Sequence, residues 1–316
     1  MKTAATVKKN RSRRTLSKTD RFTLATFVGI PTLLQIILLW VPAVVTIILS
    51  FTYWNGIRLK DIQWAGIQNY KNIFVNNPLF YQALKNNGIW LAFFIVVATP
   101  LGIMLAYQID RGIKGHAFYE SIYYLPVVLS LAVIGIIWNF MLQPGGFVQG
   151  LMGRDIGNAI SIYGDPKINT WVILGIASWR HIGYIMLLYL SGLKSVDPAL
   201  KEAAAIDGAN PRQVFSKVTL PLLLQILSPL LIASFAFNFN NFNLIYLLTG
   251  GGPREQLDGE IAGSTDILIS YTYQIAFGSN LQDLGLASAI SVLIFFLVAS
   301  ISLYGVRKSK VLESFS

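Results

Sequence analysis

Six apolar segments, near residues 23–52, 87–109, 119–142, 170–193, 222–248 and 285–306, dominate the sequence. Each reaches or exceeds the ~20 residues a helix needs to cross the hydrocarbon layer of a bilayer. Backbone in lipid finds no water, so each segment must satisfy its own N–H and C=O groups, and for runs this long that means α-helix. Hydrophobic residues make up 54% of the chain and charged residues only 13%, about half the ~25% usual in globular domains. The sequence therefore predicts an all-α polytopic membrane protein with about six transmembrane helices. Pro31 and Pro42 predict kinks or an interfacial start in the first.

Polar stretches bearing Gly and Pro separate the spans: 53–86, 143–169 and 249–284 on one side, 110–118 and 194–221 on the other. The two terminal segments and the 110–118 and 194–221 loops hold 17 Lys and Arg; the three opposite loops hold 7. That asymmetry places both termini and the 194–221 loop in the cytoplasm. The expected organisation is a basic cytoplasmic tail (1–22), one transmembrane domain (23–306) and a cytoplasmic C-terminal tail (307–316). The apolar stretch from Phe22 to Trp54 is too long for the h-region of a signal peptide. The short opposite loops leave no room for a large external domain.

The net charge of +10 is concentrated in the N-terminal tail, where eight basic residues precede position 22. With no folded basic face beside it, that tail reads as a topology signal and not as a nucleic-acid site. The absence of cysteine excludes disulfide and thiol chemistry, and two histidines are too few for a histidine-rich metal centre.

The span centres contain no Asp or Glu, although proton-coupled carriers need such a group within the bundle. No paired carboxylates or nucleophile–base constellation marks a catalytic site. No G-x-x-x-x-G-K-[ST] phosphate loop is present, so any ATP would be bound by another chain. Two features remain. Phe237-Asn-Phe-Asn-Asn-Phe-Asn243 puts four asparagines in the fifth span, with Asn238 and Asn241 three apart and expected on one helical face beside Phe237. These amides either pack neighbouring helices together or present a polar, aromatic surface to sugar hydroxyls and pyranose faces. In the fourth span, Ser178-Trp-Arg-His-Ile-Gly-Tyr184 carries Arg180. Arginine costs at least about 2.5–3.5 kcal/mol at the bilayer centre on insertion scales, so this one snorkels, pairs or lines a path.

Glu202-Ala-Ala-Ala-Ile-Asp-Gly-Ala-Asn-Pro-Arg-Gln-Val-Phe-Ser-Lys-Val-Thr-Leu-Pro221 separates the fourth and fifth spans. Asp197-Pro198 reads as a helix start, Ala199 to Ile206 as helix formers, Gly208 as a turn and Pro211 as the first turn of a second helix. The predicted element is a short helix–turn–helix on the membrane surface, with Ala203, Ala204 and Ala205 forming a small-residue face for a partner.

Glu202, Ala203, Ala204, Gly208, Val218, Leu220 and Pro221 reproduce, with its spacing, the EAA motif of ABC-importer permeases. Ser234–Phe242, Leu247–Pro253, Thr265–Leu268 and Tyr271–Phe277 resemble the carbohydrate branch of that family, the F-type maltose permeases. The resemblance implies a type I ABC-importer permease fold in the bacterial cytoplasmic membrane. It implies a second permease subunit, two ABC ATPase subunits that bind ATP and Mg, an extracytoplasmic solute-binding protein, an oligosaccharide substrate and surrounding lipid. This chain itself would hold no cofactor or metal and no catalytic residue. Glu202, Ala203, Ala204, Asp207, Gly208, Leu220 and Pro221 would couple it to the ATPase. Ser130, Tyr184, Ser234, Phe237, Asn238 and Asn241 would contact the sugar, joined on the substrate path by Arg180 and His181. Two departures accompany the resemblance: the large extracytoplasmic insertion of the enterobacterial protein is missing, and that permease is uncharged at the positions of Ala177, Arg180 and His181. The cargo implied is thus maltodextrin-like, or an acidic oligosaccharide such as alginate. An ion-gradient-driven sugar carrier and a membrane-embedded glycan enzyme are the alternatives.

Overall fold

A computed structural model describes residues 17–151, 163, 165–252, 254–257, 260–278 and 282–308. Most of the two basic tails lies outside these residues. The chain divides into two compact units, 1–48 and 49–316. The described part of the first unit is helix α1 (Lys18–Leu49), which starts inside the segment expected as tail. Pro31 and Pro42 each follow a wide π-helical turn, Ala25–Gly29 and Ile36–Trp40. The same arrangement recurs at Pro100 after Phe94–Ala98, and at Pro221 after Val214–Thr219. A proline ring collides with the carbonyl four residues back and donates no hydrogen bond; a widened turn accommodates both defects without ending the helix.

The second unit contains α2 (Pro78–Asp110), α3 (His116–Val128), α4 (Leu131–Leu142), α5 (Asn169–Ser195) and α6 (Pro198–Ile206), then α7 (Leu220–Phe239), α8 (Phe242–Thr249), α9 (Leu268–Phe277) and α10 (Leu284–Lys308). Two antiparallel pairs, Thr52–Tyr53 with Gln63–Trp64 and Arg254–Leu257 with Glu260–Gly263, cross the connecting segments. Among the described residues, five helices are long and apolar enough to cross a membrane, or six when α3 and α4 count as one broken span.

That break corrects the expected span over 119–142, because α3 and α4 meet at 96°. Leu129 is extended, and Ser130 leaves the helix to cap α4, its Oγ accepting from the Val133 N–H at 3.3 Å. The expected span over 222–248 lies within one candidate span, Pro211–Leu248, with a local interruption. Asn240 and Asn241 leave helical geometry between α7 and α8, so Asn238 and Asn241 do not share one continuous helix. Asparagine side chains compete with the helix for backbone groups, as when Asn240 Nδ2 donates to the Ala236 carbonyl at 3.3 Å.

Helix α5 is central, packing against α2, α3 and α7. Its Gly183 lies against the Tyr123 carbonyl of α3 so closely that a Cβ would collide with that oxygen. Among the described residues, α5 contributes to two buried clusters, one around Trp90, Ile134, Ile173 and Ile245 and one around Ile185, Tyr189 and Leu223; a third, away from α5, joins Phe80, Phe239, Leu268 and Ile290.

Contacts sort the connecting segments into two ends. At one, Lys201 Nζ lies 4.0 Å from Asp110 Oδ2, bringing the ends of α2 and α5 to the 194–221 loop. At the other, Asn86 Nδ2 donates to the carbonyls of Ser264 and Asp266 at 2.9 and 2.8 Å, and Asn169 Nδ2 donates to Ser264 Oγ at 2.6 Å. Leu284 N–H bonds the Trp54 carbonyl at 2.8 Å there. Segments 53–86, 143–169 and 249–284 thus meet at one end, and 110–118 meets 194–221 at the other.

Candidate functional site

Two helical stripes with the same spacing face each other across a cavity of about 350 Å³. Helix α5 presents Ile176, Ala177, Arg180, His181 and Tyr184; α7 presents Ala233, Ser234, Phe237 and Asn238, and Asn241 continues the series from the break. Residues i, i+1, i+4, i+5 and i+8 share one side of a helix, which explains why each stripe faces a single space. Val127 of α3, Leu131 and Ile134 of α4, and Leu244 of α8 complete the wall. The bend between α3 and α4 brings these apolar side chains to the cavity. Arg180 is the twelfth residue of α5, about 17 Å along its axis at 1.5 Å per residue, so the cavity lies well inside the bundle.

The polar groups fall into two sets. His181 is buried and held from several directions. Asn238 Nδ2 lies 3.3 Å from its Nδ1, Thr99 Oγ1 lies 3.4 Å from its Nε2, and the Phe94 ring meets it edge-on at 4.6 Å. Asn238 Nδ2 also donates to the Ser234 carbonyl at 2.7 Å and approaches Ser234 Oγ at 3.3 Å. His181 and Asn238 thus form a partition, with a second cavity of about 200 Å³ behind it lined by Trp90, Phe94, Thr99 and Phe235. The other set is open: Tyr184 and Phe237 are 38% and 63% exposed, and Asn241 and Arg180 make no side-chain hydrogen bond among the described residues. Arg180 Nε is shielded from solvent as well as unpartnered.

Seven of the eight residues expected on the substrate path therefore line one cavity. Ser130 does not: it is exposed in the bend and caps α4. Thr99 and Phe94, which hold His181, were missed by sequence reasoning; the only signal for Thr99 was a hydroxyl beside Pro100 within an apolar run.

The second group of expected residues lies about the 194–221 loop. Asp197 caps α6, its Oδ1 accepting from the Ala199 N–H at 2.9 Å. Gly208, at φ +83°, ends α6 as Ala209 N–H reaches back to the Ala204 carbonyl at 3.0 Å, a left-handed turn that favours glycine. Asn210 and Gln213 exchange side-chain and backbone bonds at 2.9 and 3.0 Å, capping the next helix. Glu202, Ala203, Asp207 and Gly208 are exposed, as are Leu200 and Ile206, the latter by 85%. Leu220 and Pro221 begin α7. The loop is tied to α2 by Lys201–Asp110 and by the Tyr107 and Phe215 rings, 4.1 Å apart, with Arg111 5.7 Å above Tyr107.

A helical multi-pass protein with a polar cavity between its spans and an exposed amphipathic helix at one end is a membrane permease in architecture. Residues 98–309 match the model of binding-protein-dependent transport system inner membrane components, and the chain belongs to that family. It is 40% identical over 270 residues to the maltose/maltodextrin transport system permease protein MalF of Vibrio vulnificus strain YJ016, covering 82% of this chain and 51% of that protein. It is 37% identical over 251 residues to MalF of Salmonella typhimurium strain LT2, covering 78% and 49%. The chain spans about half the length of these curated relatives. A chain of a crystal structure of a bacterial ABC transporter involved in the import of the acidic polysaccharide alginate superposes with a TM-score of 0.74 at 21% identity, over 93% of this chain and 96% of that chain. A second such structure, of the alginate ABC transporter with an alginate pentasaccharide-bound periplasmic protein, gives 0.73 at 22% identity, over 92% and 96%. These likenesses establish the type I ABC-importer permease fold.

Proposed function

We propose that this chain is one of two permease subunits of an ATP-driven, binding-protein-dependent importer, and that it carries an oligosaccharide across the cytoplasmic membrane through the cavity between α5 and α7. The observation that carries this reading is the cavity itself. Neutral hydrogen-bonding groups at Ser234, Asn241 and Tyr184 and an open aromatic face at Phe237 surround a volume of about 350 Å³, suited to a few pyranose rings with hydroxyl edges and apolar faces. The sequence relatives are named as maltose/maltodextrin permeases, which supports a saccharide cargo. No Asp or Glu lines the cavity, which favours an external energy source over a coupling proton.

The exposed helix α6 supplies the proposed link to that source. With its termini capped and its root tied to α2 and α7, it can transmit a push or pull from a groove in an ATPase subunit to the bundle. Glu202 anchors the contact, Ala203 and Ala204 permit close approach, Asp207 and Gly208 shape the turn, and Leu220-Pro221 passes the motion into α7. Both termini and this loop face the cytoplasm, ATP and Mg belong to the ATPase subunits, and a binding protein delivers sugar to the opposite end. Reconstituting the chain with these partners tests the reading. Saccharide uptake should require ATP and the ATPase and survive collapse of ion gradients; uptake without the ATPase would contradict it.

A further inference from the structure

The guanidinium of Arg180 is left without an anion. Among the described residues it is the only Lys, Arg, Asp or Glu in the cavity wall. Its Nε is shielded from solvent with no hydrogen-bond partner among the described residues. Neutral groups at Ser234, Asn241 and Tyr184 flank it and suffice for sugar hydroxyls. A guanidinium does something different. It stays charged at any physiological pH, and its planar fork matches a carboxylate through two parallel hydrogen bonds. A neutral ring at this point would leave the guanidinium without a counter-ion, whereas a carboxylate on the ring would neutralise it.

Resting on the transport reading above, we propose that Arg180 is a specificity-determining residue, and that the cavity favours a saccharide bearing a carboxylate, a uronate, over its neutral counterpart. The carboxylate is placed by Arg180 while Phe237 and Tyr184 carry the apolar ring faces.

The test uses the complete importer in detergent without its binding protein, which has a preference of its own. The probes are α-1,4-linked tri-galacturonate and the same trisaccharide reduced at its carboxyl carbons, matched in length and linkage. The wild type should bind the acidic probe more tightly by at least ~10-fold, and Arg180→Gln should reduce that preference by about 10–100-fold. Arg180→Lys should restore part of it in low salt, since the charge returns without the fork. Equal wild-type affinity for the two probes overturns the proposal. So does an equal loss for both in Arg180→Gln. Loss of the second permease from purified Arg180→Gln importer also overturns it, because the missing carboxylate would then be the partner chain's. ATP-dependent uptake of neutral saccharides alone sinks the charge preference and leaves the transport reading standing; no saccharide uptake under any condition sinks both.

Discussion

Asn238 and Asn241 are three residues apart and chemically identical, yet their surroundings assign them different work. Asn238 is bound to the Ser234 carbonyl and a His181 ring nitrogen, whereas the Asn241 amide faces the cavity unbonded among the described residues. Asn241→Ala should therefore weaken saccharide binding by roughly 3–30-fold, the loss of one or two hydrogen bonds, with subunit assembly and melting temperature unchanged. Asn238→Ala should also lower thermal stability, because buried His181 loses a partner at a cost of about 1–3 kcal/mol. Binding and melting curves on both variants separate the roles; identical profiles would show that the distinction is wrong. Gly183→Val should destabilise the bundle by about 1–3 kcal/mol or more, since its side chain must displace the α3 backbone at Tyr123. At this scale the sequence exposed Arg180, Phe237 and Asn241, because a polar group, or an aromatic one beside such amides, stands out within an apolar run, while Tyr184 and Ser234 came only through the family resemblance. It could not single out Val127, Leu131, Ile134 or Leu244, since an apolar residue lining a cavity looks like one facing lipid or core. Ser130, expected on the sugar path from the resemblance alone, lies outside the cavity wall and caps α4, a use that depends on the bend.

At the scale of elements, the 194–221 loop was the most legible part of the chain. Asp197-Pro198, Gly208 and Pro211 are local signals, and each acts where it was expected, with Asn210 adding a cap that was not foreseen. The break between α3 and α4 was hidden because Leu129-Ser130 carries neither glycine nor proline, and Pro126 stays inside α3. Long-range packing decides that geometry. The break at Asn240-Asn241 was half visible: the asparagines were noted, but their preference for non-helical backbone was not applied. Asp197→Ala should remove the α6 cap, costing about 1 kcal/mol, and reduce ATPase affinity modestly. Glu202→Lys or Gly208→Asp should abolish productive ATPase docking while the subunit still inserts and pairs. Co-purification and sugar-stimulated ATP hydrolysis measure both effects; normal values in all three variants would remove α6 from the coupling path.

Across the whole molecule, the two ends have distinct chemistry. One gathers the α2 and α5 termini, the exposed face of α6 and the root of α7; the other is closed by amide and carbonyl bonds around Asn86, Asn169, Ser264 and Asp266. The cavity lies between them. This separation is what an alternating-access machine requires: an engine contact at one end, a delivery surface at the other and a binding site whose access can switch. Hydropathy located the spans because it integrates over tens of residues, and the connecting segments that basic-residue counts grouped, 53–86, 143–169 and 249–284, meet at one end. Neither signal could recover the cavity, which exists only once α5 and α7 face each other. The account's central claim is that this cavity holds the sugar during ATP-driven import. The most direct test is ATP-dependent uptake of radiolabelled saccharide into proteoliposomes containing the complete importer, comparing wild type with the double variant that combines Asn241→Ala with Phe237→Ala. The account predicts uptake that needs ATP and the ATPase subunits, ignores ionophores, and falls at least ~10-fold in the double variant with ATP hydrolysis still present. Unchanged uptake in the double variant, or uptake driven by an ion gradient alone, would contradict it.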